Sequence, residues 1–207
     1  MQPQVKWLDW AKRIQAISQA GLAYSKDVYD LERFEQLREL SIEIMHAYTD
    51  VEETKIRELF ASETGYQTPK VDVRGVIFDG DRILLVREKL DGAWALPGGW
   101  ADIGLSAKEN VVKEVKEEAG LDVRPAKLLA VLDKKFHDHP PSPHHVYKMF
   151  ILCEAVGGRL EAGMETSEVG YFAEDALPEL SIERNTEAQI KALFAAKREP
   201  GGEAAFD

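Results

Sequence analysis

The sequence predicts an α/β layered fold preceded by a small helical unit. Over roughly the first 60 residues, apolar side chains recur at helical spacing, whereas from Val71 they alternate with polar ones, as in strands. One strongly capped helix lies between the later strands, and helices packed on a mixed sheet give an α/β/α arrangement. We therefore expect a helical N-terminal unit (1–66), an α/β domain (67–198) and a disordered tail (199–207).

The N-terminal unit is expected to hold helices at 4–20, 27–48 and 51–62. The first carries an apolar stripe formed by Trp7, Trp10, Ile14 and Ile17. Three short helices bury little apolar surface alone, so we expect them to pack on the main domain or on a second copy. A homodimer built partly on this segment is the hypothesis.

The strands follow a linker at 63–70. The first two strands, at 71–77 and 82–88, flank a turn at Asp79-Gly80. Later elements follow from alternation and from a final apolar helical pattern; they are strands at 127–134, 146–155 and 168–172 and a helix at about 185–197. The glycine- and proline-containing end, KREPGGEAAFD, is expected to be disordered.

The helix at 107–119 is the best-defined element. Ser106 followed by Glu109 is typical of a capping box, and Gly120 supplies a C-terminal stop. Residues three and four apart are neighbours on a helix, so Glu114, Glu117 and Glu118 share one side of it.

These crowded carboxylates repel one another unless a cation sits among them. Oxygen ligands suit Mg²⁺ or Mn²⁺, and Mg²⁺ often shares its coordination shell with substrate phosphates. The alternative is a solvated helix face on which Lys113 or Lys116 pairs with the glutamates.

The segment LPGGWADIGLSAKENVVKEVKEEAGL (96–121) resembles the box of the Nudix hydrolases, G-x5-E-x7-R-E-U-x-E-E-x-G-U, where U is a bulky aliphatic residue. Gly99 matches the first glycine, and the segment from Glu114 to Leu121 matches the second half. Two positions depart: Leu105 stands where the family has glutamate, and Lys113 where it has arginine. Asp102 could supply a carboxylate in this loop, where the family glutamate is missing.

The resemblance implies a Nudix-type α/β/α sandwich with a mixed sheet and a hydrolase domain over 67–198. It also implies that Glu114 and Glu118 bind the metal, that Glu117 is a ligand or the base, and that a backbone carbonyl near Gly99 joins the metal shell. Without a ligand, the glycine pair would be an ordinary turn. A different alternative is a non-catalytic Nudix-like binding module with a decayed box.

The helical extension and the segments TGYQTPKVDVRGVIF and HVYKMFILCE are similar to a Nudix subgroup that includes bacterial CDP-choline pyrophosphatases. This similarity implies hydrolysis of a nucleoside diphosphate linked to another group. CDP-choline, split to CMP and phosphocholine, is the best single candidate. ADP-ribose, a sugar nucleotide or RNA ends are the alternatives.

Several further residues are candidates for the site. Glu165 and Glu168 lie where some Nudix enzymes carry their base, although either could be a plain surface residue. Arg87 could contact phosphate or form a surface salt bridge. Arg74 is a weaker substrate-binding candidate and could instead be a salt-bridged strand arginine.

Aromatic and histidine residues could recognise the rest of the substrate. Trp100 could stack on a base or hold a trimethylammonium group, whereas Trp94 is expected in the core. The loop HDHPPSPHH (137–145) is interpreted as a lid or substrate-selecting loop, with His145 or Lys148 touching ligand. Its histidines could also suggest zinc, but no CxxC or HExxH frame supports that.

Composition limits the partners. The net charge of −11 argues against a broad nucleic-acid footprint, so RNA is possible but not favoured. The single cysteine, Cys153, allows no intrachain disulfide and is expected in the core, with a reactive thiol as the alternative. The chain shows no signal region and no apolar run of membrane-spanning length, which favours a cytoplasmic protein without membrane contact.

Overall fold

The computed structural model describes residues 6–207, and these divide into two compact units. One, the helical unit, comprises residues 6–69 together with Pro141–His145. The other, the α/β unit, comprises Lys70–Pro140 and Val146–Asp207. Residues 1–5, where the expected N-terminal unit and its first helix begin, lie outside the described residues.

The helical unit contains α1 (Lys6–Tyr24), α2 (Val28–Ala47) and α3 (Glu53–Phe60). The side chain of Asp27 caps α2 by accepting hydrogen bonds from the backbone N–H groups of Tyr29 and Asp30. The three helices share a small apolar core that includes Leu8, Ala11, Ile42, Met45, Ile56 and Phe60. Trp10 and Ile17 from the expected stripe remain 55% and 57% exposed.

The α/β unit contains two sheets and two helices. The strands are β1 (Lys70–Val76), β2 (Phe78–Asp79), β3 (Arg82–Glu88), β4 (Trp94–Ala95), β5 (Gly98–Trp100), β6 (Leu121–Asp133), β7 (Val146–Gly158), β8 (Thr166–Ala173) and β9 (Ala205–Phe206). The helices are α4 (Ala107–Ala119) and α5 (Glu187–Arg198). The larger sheet has the order β5-β1-β7-β6-β9 and is mixed, because β1 pairs in parallel with β7, and β6 with β9. In the smaller sheet β3 pairs with β2, β4 and β8.

The layering is visible in the side chains of β3, which point alternately to opposite faces. Leu84 and Val86 belong to the apolar cluster that contains Val111 and Val115 of α4. Ile83 and Leu85 belong to the cluster that contains Ile190, Leu193 and Phe194 of α5. The expected α/β fold with a mixed sheet is confirmed.

Two segments differ from expectation. Strand β6 begins at Leu121, six residues before the expected strand at 127, and its pairing with β7 shifts register between Pro125 and Lys127. Proline has no N–H to donate to a neighbouring strand. Pro125 therefore weakens the strand pattern of this segment in the sequence. The tail, expected to be disordered, instead forms β9 against β6, and the Asp207 carboxylate accepts a hydrogen bond from the Asp133 N–H.

The remaining expectations concern Cys153 and membrane contact. Cys153 is buried, as expected, and burial raises the pKa of its thiol to about 12. Among residues 6–207, no helix has the length and apolar character needed to cross a membrane.

Candidate active site

Helix α4 carries the three glutamates and is fixed at both ends as the sequence predicts. Ser106 and Glu109 form a complete capping box, and Gly120 ends the helix in the left-handed conformation, with φ 74°. The apolar side, including Val111 and Val115, is buried in the core. The acidic side is therefore held in a fixed orientation beside the turn that leads into β5.

Glu118 is the most buried of the three glutamates, with 6% of its surface exposed. Its Oε2 accepts a hydrogen bond of 2.8 Å from the N–H of Gly98. Desolvation raises the pKa of Glu118 to about 7, although the Gly98 N–H and the charge of Arg74 favour the ionised form.

Gly98 must be glycine at this point. Its φ of 142° is rarely adopted by other residues. A Cβ added there would lie 2.0 Å from the Val73 carbonyl oxygen. The close approach of β5 to β1 therefore depends on Gly98. This approach brings the Gly98 N–H within hydrogen-bonding distance of Glu118.

Glu114 lies beside Gly99. A Cβ added at Gly99 would lie 3.5 Å from Oε2 of Glu114, an ordinary contact distance, so this carboxylate lies close to the Gly99 backbone. The pKa of Glu114 is raised by desolvation, opposed in part by Lys113. The side chain of Glu117 is more open, at 57% exposed.

Lys113 lies among the acidic side chains. Its Nζ is 3.1 Å from Asp102 Oδ2, 3.1 Å from Glu117 Oε2 and 3.6 Å from Glu114 Oε1. The hydrogen bonds with Asp102 and Glu117 raise the pKa of this lysine. An ammonium group thus already occupies part of the space where negative charge needs compensation.

The donor set suits a hard divalent cation. Two partly desolvated carboxylates with raised pKa values lie beside the backbone of Gly98 and Gly99, and a cation would stabilise the ionised form of both. Within residues 6–207, however, no three His, Cys, Asp or Glu side chains are already arranged closely enough to hold a metal. Lys113 pairs with Glu114 and Glu117 instead.

Arg74 and Lys148, both expected to touch substrate, are buried beneath this site. Arg74 donates to Asp72 through Nε (2.8 Å) and Nη2 (2.7 Å), and Lys148 Nζ donates to Asp72 Oδ1 at 2.9 Å. The alternative of a salt-bridged strand arginine agrees with these contacts. Neither residue offers an exposed group to a ligand in this arrangement, since both are at most 3% exposed.

Burial acts on all three charges of this cluster. It would raise the pKa of Asp72, but Arg74 and Lys148 together outweigh it and hold that pKa well below its usual range. Burial lowers the pKa of Lys148 to about 8, with Asp72 opposing it. For Arg74 burial is outweighed by Asp72, and the pKa is raised.

Comparison with known proteins identifies the family. Residues 68–194 match the NUDIX domain. The chain belongs to the Nudix family. Residues 5–60 also match a UDP-X-like, N-terminal oligomerisation domain. Together with the pyrophosphatase relatives described next, this match shows that the chain is a Nudix pyrophosphatase, as expected.

Three Nudix relatives cover large parts of the chain. A Bacillus subtilis protein, provisionally named an ADP-ribose pyrophosphatase, is 54% identical and covers 99% of this chain and 98% of its own. The crystal structure of an ADP-ribose pyrophosphatase from Streptococcus suis is 48% identical, covers 68% of this chain and 100% of its own, and has a TM-score of 0.63. The crystal structure of a UDP-X diphosphatase is 32% identical, covers 98% of both chains and has a TM-score of 0.64.

The two base candidates outside the Nudix box lie on or beside β8. Glu168 forms an ion pair with Arg87, the candidate phosphate ligand, so the salt-bridge alternative for Arg87 agrees with the structure. Glu165 is exposed, and its backbone carbonyl accepts a hydrogen bond from the Lys89 N–H.

The two tryptophans beside the glycine pair differ in exposure. Trp100, on β5, is 51% exposed and follows Gly99 directly. Trp94 packs edge-on against Phe172, with ring centroids 4.6 Å apart, in the core as expected. Trp100 is therefore the tryptophan that a ligand could reach.

The histidine-proline loop is divided between the two units. Residues 137–140 belong to the α/β unit, where His139 Nδ1 lies 2.6 Å from the Ile182 carbonyl oxygen and His137 Nε2 lies 3.1 Å from Asp207. Desolvation lowers the pKa of His139 to about 4. His145 belongs to the helical unit, whereas Glu114 and Glu118 belong to the α/β unit.

Sequence reasoning missed the partners that surround these groups. Asp72 joins Arg74 and Lys148, and Glu88 pairs with Arg184 at 2.8 Å. The only available signal was the alternation of Asp72 and Arg74 on one face of a predicted strand. Glu88 and Arg184 are 96 residues apart, and no local pattern links them.

Proposed function

We propose that this Nudix enzyme hydrolyses the diphosphate bond of a nucleoside diphosphate linked to a second group, with ADP-ribose as the first candidate substrate. The observation that carries the proposal is the pair Glu114 and Glu118, desolvated beside the Gly98-Gly99 turn with raised pKa values. The names of the Bacillus subtilis and Streptococcus suis relatives favour ADP-ribose.

Each glutamate of α4 has a part in this proposal. Glu114, Glu118 and the Gly99 carbonyl would hold Mg²⁺, or Mn²⁺ in its place, which when bound neutralises phosphate charge and acidifies a water molecule. Glu117 is the most exposed of the three. It would act as a further ligand or as the base that accepts the proton of the attacking water.

The reaction consumes one water molecule. Its oxygen bonds to one phosphorus atom, and the bond from that phosphorus to the bridging oxygen breaks. With ADP-ribose the products are AMP and ribose 5-phosphate, and the released proton passes through the base to solvent.

CDP-choline is kept as a second candidate because of one exposed side chain. Trp100 lies next to Gly99 with half of its surface exposed, and an exposed indole can hold a trimethylammonium group. None of the three relatives named above carries a CDP-choline activity in its name, so this candidate rests on Trp100 and on the resemblance in the sequence.

A substrate panel tests the proposal. ADP-ribose, a UDP-sugar, CDP-choline and triphosphate-ended RNA would be incubated with the full chain and Mg²⁺ or Mn²⁺, and the products separated by chromatography. We expect cleavage of ADP-ribose with AMP as a product, and little cleavage of RNA because the chain is acidic. Failure to cleave any compound with either metal would leave the binding-module alternative.

We also propose a homodimer formed through the helical unit. Trp10, Ile17 and Tyr24 lie seven residues apart along α1 and are all more than half exposed, so they form one apolar line on the helix. The match to an oligomerisation domain supports the same role. Light scattering at micromolar concentration should give twice the chain mass, and Trp10→Glu with Ile17→Glu should give a monomer. A monomeric unsubstituted protein would contradict the proposal.

A further inference from the structure

The turn that connects β4 to β5 comes directly before Gly98 and is held from two sides. The Leu96 N–H donates to Oδ1 of Asn185 at 2.7 Å, and the Leu96 carbonyl accepts a hydrogen bond of 3.0 Å from Nη1 of Arg74. On β1, Arg74 is paired in register with Gly98. The guanidinium group therefore fixes the backbone two residues before the amide that binds Glu118.

Arg74 is itself fixed by two further charges. Asp72 accepts two of its hydrogen bonds and also accepts the ammonium group of Lys148. These three side chains lie on the adjacent strands β1 and β7, where Asp72 is in register with Lys148. All three are at most 6% exposed, so the chain of contacts has little freedom to rearrange.

We propose that the buried chain Lys148–Asp72–Arg74 positions the Gly98 amide, and through it the carboxylate of Glu118. Arg74 and Lys148 are then positioning residues rather than substrate-binding residues. This inference rests on the proposed function only in so far as Glu118 is a metal ligand. The positioning of the Gly98 amide is a property of the metal-free chain.

The charges around Arg74 agree with this role. Arg74 and Lys148 share one aspartate, so this cluster of three side chains has more positive than negative groups. The carboxylates of Glu118 and Glu88 both interact with Arg74. Glu88 already has Arg184 as a partner, with Nε 2.8 Å from Oε1. Glu114 also interacts with Arg74 but contacts Lys113 as well, whereas Glu118 accepts the Gly98 N–H beside Arg74.

The test measures the Gly98 amide directly in the full-length, metal-free protein. Amide hydrogen exchange at Gly98 reports its bond to Glu118, whereas exchange at Leu84, which donates to the Ile77 carbonyl at 2.9 Å, reports general loosening. Arg74→Lys keeps the charge but loses the planar fork. Lys148→Met leaves the Arg74–Leu96 contact in place and removes the ammonium group that Asp72 accepts.

We expect Arg74→Lys to speed Gly98 exchange selectively and to weaken Mn²⁺ binding by about 10-fold or more, the usual effect of losing a group that orients a metal ligand. Lys148→Met should move both measurements in the same direction by less. As a matched control, Arg124→Lys alters an exposed pair with Glu154 in the same unit and should change neither.

Three results would overturn the inference. These are unchanged Gly98 exchange in folded Arg74→Lys, equal increases at Gly98 and Leu84, or no effect of Lys148→Met on either measurement. If Arg74→Lys does not fold, Lys148→Met alone decides. Selective exchange at Gly98 in a protein that cleaves no diphosphate would support the positioning role and contradict the proposed function, so the two failures are distinguishable.

Discussion

Arg87 and Glu168 form an ion pair across the smaller sheet, with Nη1 of the arginine 2.6 Å from Oε1 of the glutamate. The two residues are directly opposite each other on β3 and β8. Arg87 also donates through Nε to the Gly92 carbonyl at 2.7 Å. Cross-strand pairs of opposite charge stabilise a sheet modestly, so this contact has a structural use that needs no substrate.

The first prediction follows from this pairing. Glu168→Gln should lower kcat by less than about 10-fold, because the paired carboxylate is replaced by a neutral acceptor at an exposed position. Steady-state kinetics on the best substrate of the panel checks it, with Arg87→Gln measured alone and in combination. A loss of about 10² to 10⁴ would instead assign Glu168 as the general base.

Removing a metal-binding carboxylate should have a much larger effect. Glu114→Gln and Glu118→Gln are each expected to lower kcat/KM by more than about 100-fold. Loss of a residue that only orients a metal ligand costs up to about 100-fold, and loss of the ligand itself should cost more. Glutamine at 118 still offers an oxygen to the Gly98 N–H, so circular dichroism should show an intact fold. Glu187→Gln, on the exposed face of α5, is the matched control and should keep full activity.

The raised pKa of Glu118 makes stability depend on pH. Its pKa is about 7 in the folded chain, against an ordinary value of 4.5 for glutamate, so the folded state binds the proton more tightly. This contribution is fully present below pH 4.5 and is lost as the pH rises through 7. The shift corresponds to about 3 kcal/mol.

Urea unfolding of the metal-free protein at several pH values checks this. Glu118→Gln cannot ionise and should flatten the fall in the free energy of unfolding between pH 4.5 and 7. An identical pH profile for both proteins would show that other groups control it. Added Mn²⁺ should reverse part of the fall at pH 7, because the cation favours the ionised carboxylate.

Lys113 should stabilise the metal-free site. Lys113→Met removes the ammonium group shared by Asp102, Glu114 and Glu117. We expect Tm to fall only slightly, because solvent screens the ion pairs of a partly exposed lysine. Lys113→Arg keeps the charge and should retain Tm. If Lys113→Met is as stable as the unsubstituted protein without metal, the carboxylates do not need this lysine.

Helix α4 could be predicted to the residue because its signals are local. The capping box at Ser106 and the stop at Gly120 lie within the segment itself, and the apolar positions follow the helical repeat. Helical spacing places the three glutamates on one side, and the resemblance to the Nudix box adds the glycine pair. The sequence does not rank their pairing with Lys113 against metal binding.

Arg74 and Lys148 show what a local sequence pattern leaves open. Alternation along a strand indicates that Asp72 and Arg74 share a face, but it does not indicate what covers that face. The burial of this face depends on contacts between segments distant in sequence, which pair Lys148 with Asp72 across 76 residues. For Arg74 the sequence therefore leaves substrate binding and a strand salt bridge both open, and its contacts with Asp72 agree with the salt bridge.

The prediction of a disordered tail is wrong for a related reason. Its glycines and alanines carry little intrinsic strand preference, and β9 forms because the edge of β6 offers unpaired backbone groups. Asp207 then reaches both the Asp133 N–H and His137.

Lys12 of α1 donates to the backbone carbonyls of Ser142 and His144, at 3.3 Å and 3.1 Å. The chain therefore leaves the α/β unit after Pro140, makes a five-residue excursion that is anchored on the first helix, and returns at Val146. A fragment beginning at Lys70 would keep strands β1 to β9 and all three glutamates of α4, yet the segment 141–145 would lose its anchor. Removing the helices would thus also release the segment 141–145, which lies far along the sequence from Lys70. Kinetic comparisons with such a fragment would measure the loss of the helices and the release of this segment together.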